Sequence, residues 1–315
     1  MYRHSRIAAI AGSVAALALA GCATSSGVAP SAGTALQQSR TAAPSGSGWI
    51  SKDGVLYHVP RYMATRSNAT PQVQPMVTFT YGGGPVLVAP KAYLILWGYV
   101  TYGDANGVGP LLKAYLKHMG GSEHNGIYDQ YYETSGSGNT YITNPPTQFA
   151  KAWSDNRNAV PVHPTDAQVA AEALKGVAHF GYDPNGSYIV ATPHGRSSSG
   201  FETQWCAYHS TAYSAGRYVS YTNLPYQPDA GSSCGASIIG APHDESAVDE
   251  GVTIVEGHEY GESVTDPVPA SGWYNNSYGE IGDICAWTNI KNDPFGPKSY
   301  TSQPMFSNAT QSCVH

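Results

Sequence analysis

Charged residues are scarce in this chain, at 12% of the whole, and the basic ones are scattered. The formal net charge is −6 at pH 7, and the sequence contains no run of lysines and arginines. Domains that bind nucleic acid present clustered basic residues to phosphate, so this composition argues against a nucleic-acid partner. Glycine, tyrosine and proline are plentiful, which is typical of a secreted, turn-rich protein.

Long apolar runs are missing too, and the one short run lies at the N-terminus. Residues 7–20 carry no charge and follow Arg3 and Arg6, but they are fewer than the roughly 20 that a membrane-spanning helix needs. This is the pattern of a secretory signal peptide. The run ends in Leu-Ala-Gly before Cys22, as in a bacterial lipoprotein processing site. We therefore predict a lipoprotein-type signal peptide over residues 1–22, with an ordinary cleaved signal as the alternative.

The next segment has almost no large apolar residue. Residues 23–48 are mostly serine, alanine, glycine, threonine and proline, and cannot bury enough surface to offset their ordering entropy. We interpret them as a flexible tether. Residues 49–315 are long enough for one folded domain or two closely packed lobes. The predicted protein is exported, and faces the periplasm or the cell exterior either on a lipid anchor at Cys22 or as a free secreted protein.

No C-x-x-C pair is present, which argues against a four-thiolate metal site. Four cysteines follow Cys22, and an even number in an oxidising compartment indicates two disulfides. Three connectivities are possible. We favour Cys206–Cys234 and Cys285–Cys313, because sequential pairing closes short loops.

Hydrophobic patterning alternates between strand-like and helix-like segments. The pattern predicts a layered α/β domain with a mixed sheet, flanking helices and an irregular, disulfide-stapled C-terminal part. The predicted elements are strands at Val86–Val88, Ala92–Trp97, Tyr188–Thr192 and Tyr218–Leu224, a helix that ends at Gly120, and a helix that runs from a capping box at Thr165 to about Phe180.

One further predicted helix carries an unusual set of polar residues. It begins near Ser246, which has capping-box spacing to Asp249, and it ends before Pro267. At about 100° per residue, an apolar stripe of valines leads directly into four polar side chains. Three of those four are acids, and buried acids need a cation or strong hydrogen bonds. The stripe consists of Val248, Val252 and Val255, and it continues into His258, Glu259, Glu262 and Asp266.

The segment from His258 to Glu262 reads H-E-x-x-E. His258 and Glu262 lie one helical turn apart, so both can reach one metal ion. Glu259 lies between them and can act as a general base. This is the pattern of the zincin H-E-x-x-H helix with a carboxylate in place of the second imidazole, and a match on a solvated helix face is the alternative.

A third ligand has several candidates. Glu280 lies 18 residues beyond the last residue of the motif, about where thermolysin-like zincins supply their distal glutamate. Asp283 could orient His258 or bind the ion itself. His209, beside a predicted disulfide, is a rival ligand, and it is also a candidate for stabilising an oxyanion.

Several short segments resemble the phosphate-induced protein 1, or EXORDIUM-like, family and its bacterial secreted relatives. The resemblance covers about residues 85 to 315. It implies an extracellular, growth-associated protein and leaves the chemistry open. The matching segments are Gln130-Tyr131-Tyr132, Cys206-Ala-Tyr-His209, the run from His258 through Asp266-Pro267, Trp273-Tyr274, the run from Glu280 through Asp283 and Cys285 to Trp287, Gln303-Pro304 and Ser307-Asn308-Ala309.

Two functions therefore remain open. The first is a zinc-dependent hydrolase, most simply a peptidase acting on peptides. The second is a non-catalytic module that contacts cell-wall polymer or carbohydrate and holds Ca²⁺ with an oxygen-rich set such as Glu262, Asp266, Glu280 and Asp283. Zn²⁺ accepts imidazole readily and Ca²⁺ seldom does, so His258 favours zinc.

Overall fold

The computed structural model describes residues 43–44, 47–69, 77–240 and 243–315. The predicted signal peptide, its lipidated Cys22 and most of the predicted tether lie outside these residues. Within the described ranges, no helix has both the length and the apolar character needed to cross a bilayer.

The chain alternates short strands and helices, as the sequence predicts. The strands are β1 (Trp49–Lys52), β2 (Val55–His58), β3 (Arg61–Ala64), β4 (Thr80–Tyr81), β5 (Lys91–Trp97), β6 (Tyr132–Ser135), β7 (Gly138–Tyr141), β8 (Phe149–Asp155), β9 (Gly186–Ala191), β10 (Trp205–Ser214), β11 (Arg217–Leu224), β12 (Trp273–Tyr274), β13 (Lys291–Phe295), β14 (Lys298–Ser302), β15 (Met305–Ser307) and β16 (Ser312–Val314). The α-helices are α1 (Tyr99–Tyr102), α2 (Val108–Met119), α3 (Glu123–Gly126), α4 (Asp166–Phe180), α5 (Gln227–Ala230) and α6 (Glu250–Thr265).

The main sheet has eight strands and is mixed, which confirms the predicted fold class. Its order is β1-β2-β10-β11-β9-β5-β8, and β3 also pairs with β10. The β11-β9-β5-β8 half is parallel, and the remaining pairings are antiparallel. The parallel half reads as apolar runs because it is covered on both faces: every residue of β9 is buried.

Helices cover both faces of this sheet. Successive side chains of a strand point to opposite faces. On β10, the Tyr208 hydroxyl donates a hydrogen bond to Asp166 at the start of α4, whereas the His209 ring contacts Glu259 of α6. Helices α4 and α6 therefore pack on opposite faces, and α6 and His209 share one face.

The capping box of α4 is confirmed. The Thr165 side chain accepts from the Gln168 backbone N–H, and the Gln168 side chain accepts from the Thr165 N–H. The predicted stop of α2 at Gly120 is confirmed as well. Local signals of this kind need no tertiary context, so the sequence alone predicts them.

The predicted strand at Val86–Val88 is wrong, because this segment pairs with side chains and a helix end instead of the sheet. The Val86 N–H donates to the Glu133 carboxylate (3.2 Å), and the Leu87 N–H donates to the Val264 carbonyl of α6 (2.9 Å). Val86 and Leu87 are still buried, which is why the pattern resembled a strand.

The start of α6 also differs from the prediction. Residues Ala247–Asp249 form a 3₁₀ turn, and the α-helix begins only at Glu250. The Ser246 hydroxyl donates to the Asp249 carboxylate instead of capping the helix, so the predicted capping box is wrong. Because the 3₁₀ turn changes the angular period, Val248 leaves the inward stripe and is 45% exposed.

The C-terminal part is built from short hairpins and turns, and both predicted disulfides are confirmed. Cys206 pairs with Cys234 and Cys285 pairs with Cys313, each across 28 residues. The hairpins are β13-β14 and β15-β16. The second disulfide ties β16 to the 3₁₀ turn Asp283–Cys285, and this turn directly follows the predicted ligand Glu280.

Candidate metal centre

Helix α6 is buried all round: each of its residues, from Glu250 to Thr265, is buried. It lies between the sheet, with contacts to β10 and β11, and a second layer that includes α2 and β14. His258, Glu259, Glu262 and the following Asp266 are at most 1% exposed. The solvated-face interpretation of the H-E-x-x-E segment therefore fails.

A first group of ligand-type atoms lies on one side of Glu262. His258 Nε2 is 3.2 Å from Glu262 Oε1 and 3.8 Å from Asp283 Oδ1. The Asp283 backbone N–H donates to the same Glu262 Oε1 (3.1 Å) and so fixes that carboxylate. Ligand atoms of the three side chains lie within 4.8 Å of one another. This spacing allows all three to bind one cation.

A second group lies on the other side of Glu262. His209 Nδ1 is 3.5 Å from Glu262 Oε2, and His209 Nε2 is 3.4 Å from Glu280 Oε2. Ligand atoms of His209, Glu262 and Glu280 also lie within 4.8 Å of one another. Glu259 Oε2 accepts a hydrogen bond from His209 Nδ1 (3.3 Å), which places the predicted general base beside this second group.

Several polar atoms of the two groups are buried without a hydrogen bond. Among the described residues, neither ring nitrogen of His258 has a hydrogen-bond partner, and the same holds for His209 Nε2, Glu259 Oε1 and both carboxylate oxygens of Glu280. Buried polar atoms almost always have partners, so a bound cation would give these atoms the partner that they lack.

The charges of the site are strongly coupled. Burial alone would lower the pKa of His258, but the adjacent Glu262 carboxylate outweighs it and raises that pKa to about 9. Burial would also lower the pKa of His209, and the Glu280 carboxylate raises it well above the ordinary value. Burial would raise the pKa of Glu262, yet His258 and His209 hold it well below its usual range. Burial raises the pKa of Glu280. The site is thus a dense set of acids for which two histidines are the nearby counter-charges.

Asp266 has a different environment. Its carboxylate accepts backbone hydrogen bonds from Ala270 (2.6 Å), Ser271 (3.0 Å) and Gly272 (2.6 Å). It organises the turn after α6 and has its partners without a metal. Asp266 also adjoins Glu280, and the oxygen-rich calcium set that includes both stays a prediction.

The loop that supplies Glu280 and Asp283 approaches α6 very closely at Gly282. A Cβ at this position would lie 2.8 Å from both Glu262 Oε1 and His258 Nδ1, so only glycine fits here. The Ile281 carbonyl accepts from the Phe306 N–H, and the Gly282 carbonyl accepts from the Gln303 side chain, which hold the loop in place. The short Glu-Ile-Gly-Asp segment is thus a tight turn that carries two candidate ligands.

The structure brings together the six residues predicted for the zinc site, but it groups them differently from the prediction. The sequence placed His258, Glu262 and Glu280 on one ion. In the structure, His258 is grouped with Asp283, and Glu280 is grouped with His209. His209 thus lies among candidate ligands, and its role as an oxyanion donor stays a prediction. No motif in the sequence indicates that β10 brings it against α6.

Glu280 also lines a cavity beside the site. A cavity of about 120 Å³ is lined by Arg61, Ala270, Tyr274 and Glu280, with Asn275, Asn276 and Gly279. A neighbouring cavity of about 410 Å³ shares Arg61 and Ala270 with it. Glu280 thus lies between the candidate metal centre and the smaller cavity, and its two carboxylate oxygens are buried.

No family model, curated protein or solved structure matches the chain. The resemblance to EXORDIUM-like proteins therefore stays a prediction, and what the site does has to be argued from its own chemistry.

Proposed function

We propose that this protein is an extracytoplasmic zinc-dependent hydrolase, most simply a peptidase. The observation that carries the proposal is the pair of buried His-carboxylate groups around Glu262, whose nitrogen and oxygen atoms lack hydrogen-bond partners among the described residues. The two disulfides support an oxidising compartment.

The donor set favours zinc over calcium. Imidazole nitrogen is present in both groups, and Ca²⁺ takes oxygen ligands almost exclusively. Zn²⁺ accepts histidine and carboxylate together, and separations of 3.2 to 3.5 Å between donor atoms suit two ligands on one small ion. When bound, zinc would polarise the scissile carbonyl.

Glu259 is the residue that turns such a site into a hydrolase. It belongs to neither group, yet its Oε2 is hydrogen-bonded to His209 and its Oε1 has no partner in the described part of the chain. Burial raises the pKa of Glu259, which brings a carboxylate closer to the range suited to a general base. In this proposal it takes the proton of the attacking water, while the cavities beside Arg61 hold the substrate.

The test is Glu259→Gln in the purified, metal-loaded protein. The substitution keeps the shape but removes the base, so hydrolysis of a fluorogenic peptide library should fall by at least about 100-fold. Zinc content, measured by inductively coupled plasma mass spectrometry, should stay at the wild-type level.

The matched control is Glu250→Gln, an equally buried acid of α6 at its other end, which should keep both activity and metal. Wild-type protein that binds zinc but hydrolyses nothing, or a Glu259→Gln variant with full activity, would refute the hydrolase.

A second function is favoured by one observation, the near-complete burial of the ligands. His209, His258, Glu262 and Glu280 are at most 1% exposed, as in closed structural sites. A non-catalytic module with a structural cation is therefore the alternative, as in the resemblance to EXORDIUM-like proteins. Bound metal with no hydrolytic activity in any variant would support it.

A further inference from the structure

The Glu262 carboxylate faces both groups of ligands at once. Its Oε1 points toward His258 and receives the Asp283 N–H, and its Oε2 points toward His209. Each oxygen therefore serves one group, and Glu262 is the residue that the two have in common.

We propose that the centre binds two divalent cations bridged by Glu262. One ion takes His258 and Asp283, and the other takes His209 and Glu280. This inference concerns the same site as the proposed function but does not depend on hydrolysis. A carboxylate that binds one ion through each oxygen is a common bridge between metals about 3.5–4 Å apart.

Geometry argues against a single ion that collects all the ligands. Within the described residues, two sets of three side chains have ligand atoms within 4.8 Å of one another, and we call these sets the two trios. They share Glu262 but do not merge into one larger group. The histidine of each trio has its own terminal carboxylate: Asp283 beside His258, and Glu280 beside His209. The site therefore repeats one ligand set on each side of Glu262.

Charge argues for two ions independently. Glu259, Glu262, Glu280 and Asp283 carry four negative charges when ionised, and neutral histidines carry none. One dication would leave two charges uncompensated in a buried site, whereas two dications would neutralise the set. Asp266 adjoins Glu280 and adds a further acid, whose charge three backbone N–H groups stabilise, so it does not lessen the need for a second cation.

The unpartnered atoms divide between the two positions. One ring nitrogen of His258 would bind the first ion, and His209 Nε2 and Glu280 would bind the second; these atoms lack hydrogen-bond partners among the described residues. A single ion in either trio would leave the unpartnered atoms of the other without a ligand role. Two ions give each set a function.

The experiment is a titration of the purified, chelator-stripped protein with Zn²⁺, followed by calorimetry and by metal analysis after gel filtration. Wild type should retain about two equivalents per chain. Asp283→Asn should retain about one, since it removes a ligand of the first ion only. Glu280→Gln should also retain about one, through the loss of the second ion.

Two controls distinguish loss of a metal ligand from misfolding: a variant at a partly exposed position and a second metal probe. The Asp283 side chain is 28% exposed, so Asp283→Asn is the variant least disruptive to folding, and circular dichroism should match wild type. With Mn²⁺ in place of Zn²⁺, electron paramagnetic resonance should show a spin-coupled pair in wild type and an isolated ion in Asp283→Asn.

The outcomes separate this inference from the hydrolase. One equivalent in wild type, with an uncoupled Mn²⁺ signal, overturns the pair even if Glu259-dependent hydrolysis is present. Two equivalents without hydrolysis support the pair and overturn the hydrolase. No bound metal at all overturns both.

Discussion

Both ends of helix α6 contain buried acids beside a histidine, but the acids at the two ends differ in their hydrogen-bond partners. At the N-terminal end, Glu250 accepts hydrogen bonds from the backbone N–H groups of Ile239 (2.9 Å) and Gly240 (2.7 Å), and it lies 3.0 Å from His243 Nε2. At the C-terminal end, His258 and Glu262 face each other among further acids, and several atoms have no hydrogen-bond partner in the described chain.

The difference shows that a buried His-Glu pair is not in itself a functional signal. Around Glu250 the fold supplies donors for both carboxylate oxygens, so the acid is a structural element that ties the preceding loop to the helix. Around Glu262 the surrounding elements supply one backbone N–H, from Asp283, and two histidines, but also further buried acids. A cation from outside the chain is the additional counter-charge that the proposed metal site would supply.

The largest expected effect comes from removing the metal, which acts at the C-terminal end alone. Chelation should lower the free energy of unfolding by about 3–5 kcal/mol, because the remaining carboxylates lose their cation. Thermal melts of zinc-loaded and dipicolinate-treated protein would measure this. Glu250→Gln should show the same shift on chelation as wild type, and identical melts with and without metal would contradict the comparison.

The second largest effect is expected from removing the disulfides, and the two disulfides should differ in their effect on the candidate ligands. Each closes a loop of 28 residues, so its removal by a double Cys→Ser substitution should cost about 3–4 kcal/mol by chain entropy. Loss of Cys285–Cys313 should also weaken zinc binding, since Asp283 and Glu280 lie on the turn beside Cys285.

Loss of Cys206–Cys234 should leave zinc affinity nearly unchanged, because pairing with β3 and β11 on both sides already holds His209. Urea unfolding and zinc titration of the two double variants would measure both effects. An equal loss of zinc affinity in both double variants would contradict this expectation, because it would show that strand pairing alone does not hold His209 in place.

Sequence reasoning succeeds here where the signal is local and fails where it depends on distant partners. The capping box at Thr165, the limits of α4 and the burial of the H-E-x-x-E segment follow from periodicity and short spacings. The strand at Val86–Val88 was wrong because a helix end and a side chain, both distant in sequence, took its hydrogen bonds.

Which candidate ligands lie together could not be predicted from the sequence, for the same reason. His209 enters the site only because β10 lies under α6, and nothing near it in the sequence indicates that contact. Asp283 and Glu280 were identified by spacing, but the turn at Gly282 directs them to opposite sides of Glu262. The sequence thus predicts which residue types meet, and tertiary structure decides how they are shared.

The smallest predicted effect tests the N-terminal end by itself. Glu250→Gln keeps one oxygen acceptor but places an amide donor where the other oxygen now accepts from a backbone N–H. A buried donor facing a donor costs about 1–3 kcal/mol, so urea unfolding should show a loss in that range.

Zinc content and activity of Glu250→Gln should equal those of wild type, because no ligand of either group contacts Glu250 in the described structure. Glu262→Gln should do the opposite: it changes the charge that both groups share and should remove bound zinc. Glu250→Gln protein that loses zinc along with stability would show that the two ends of α6 form one coupled network, and the distinction between a structural end and a metal-binding end would then fail.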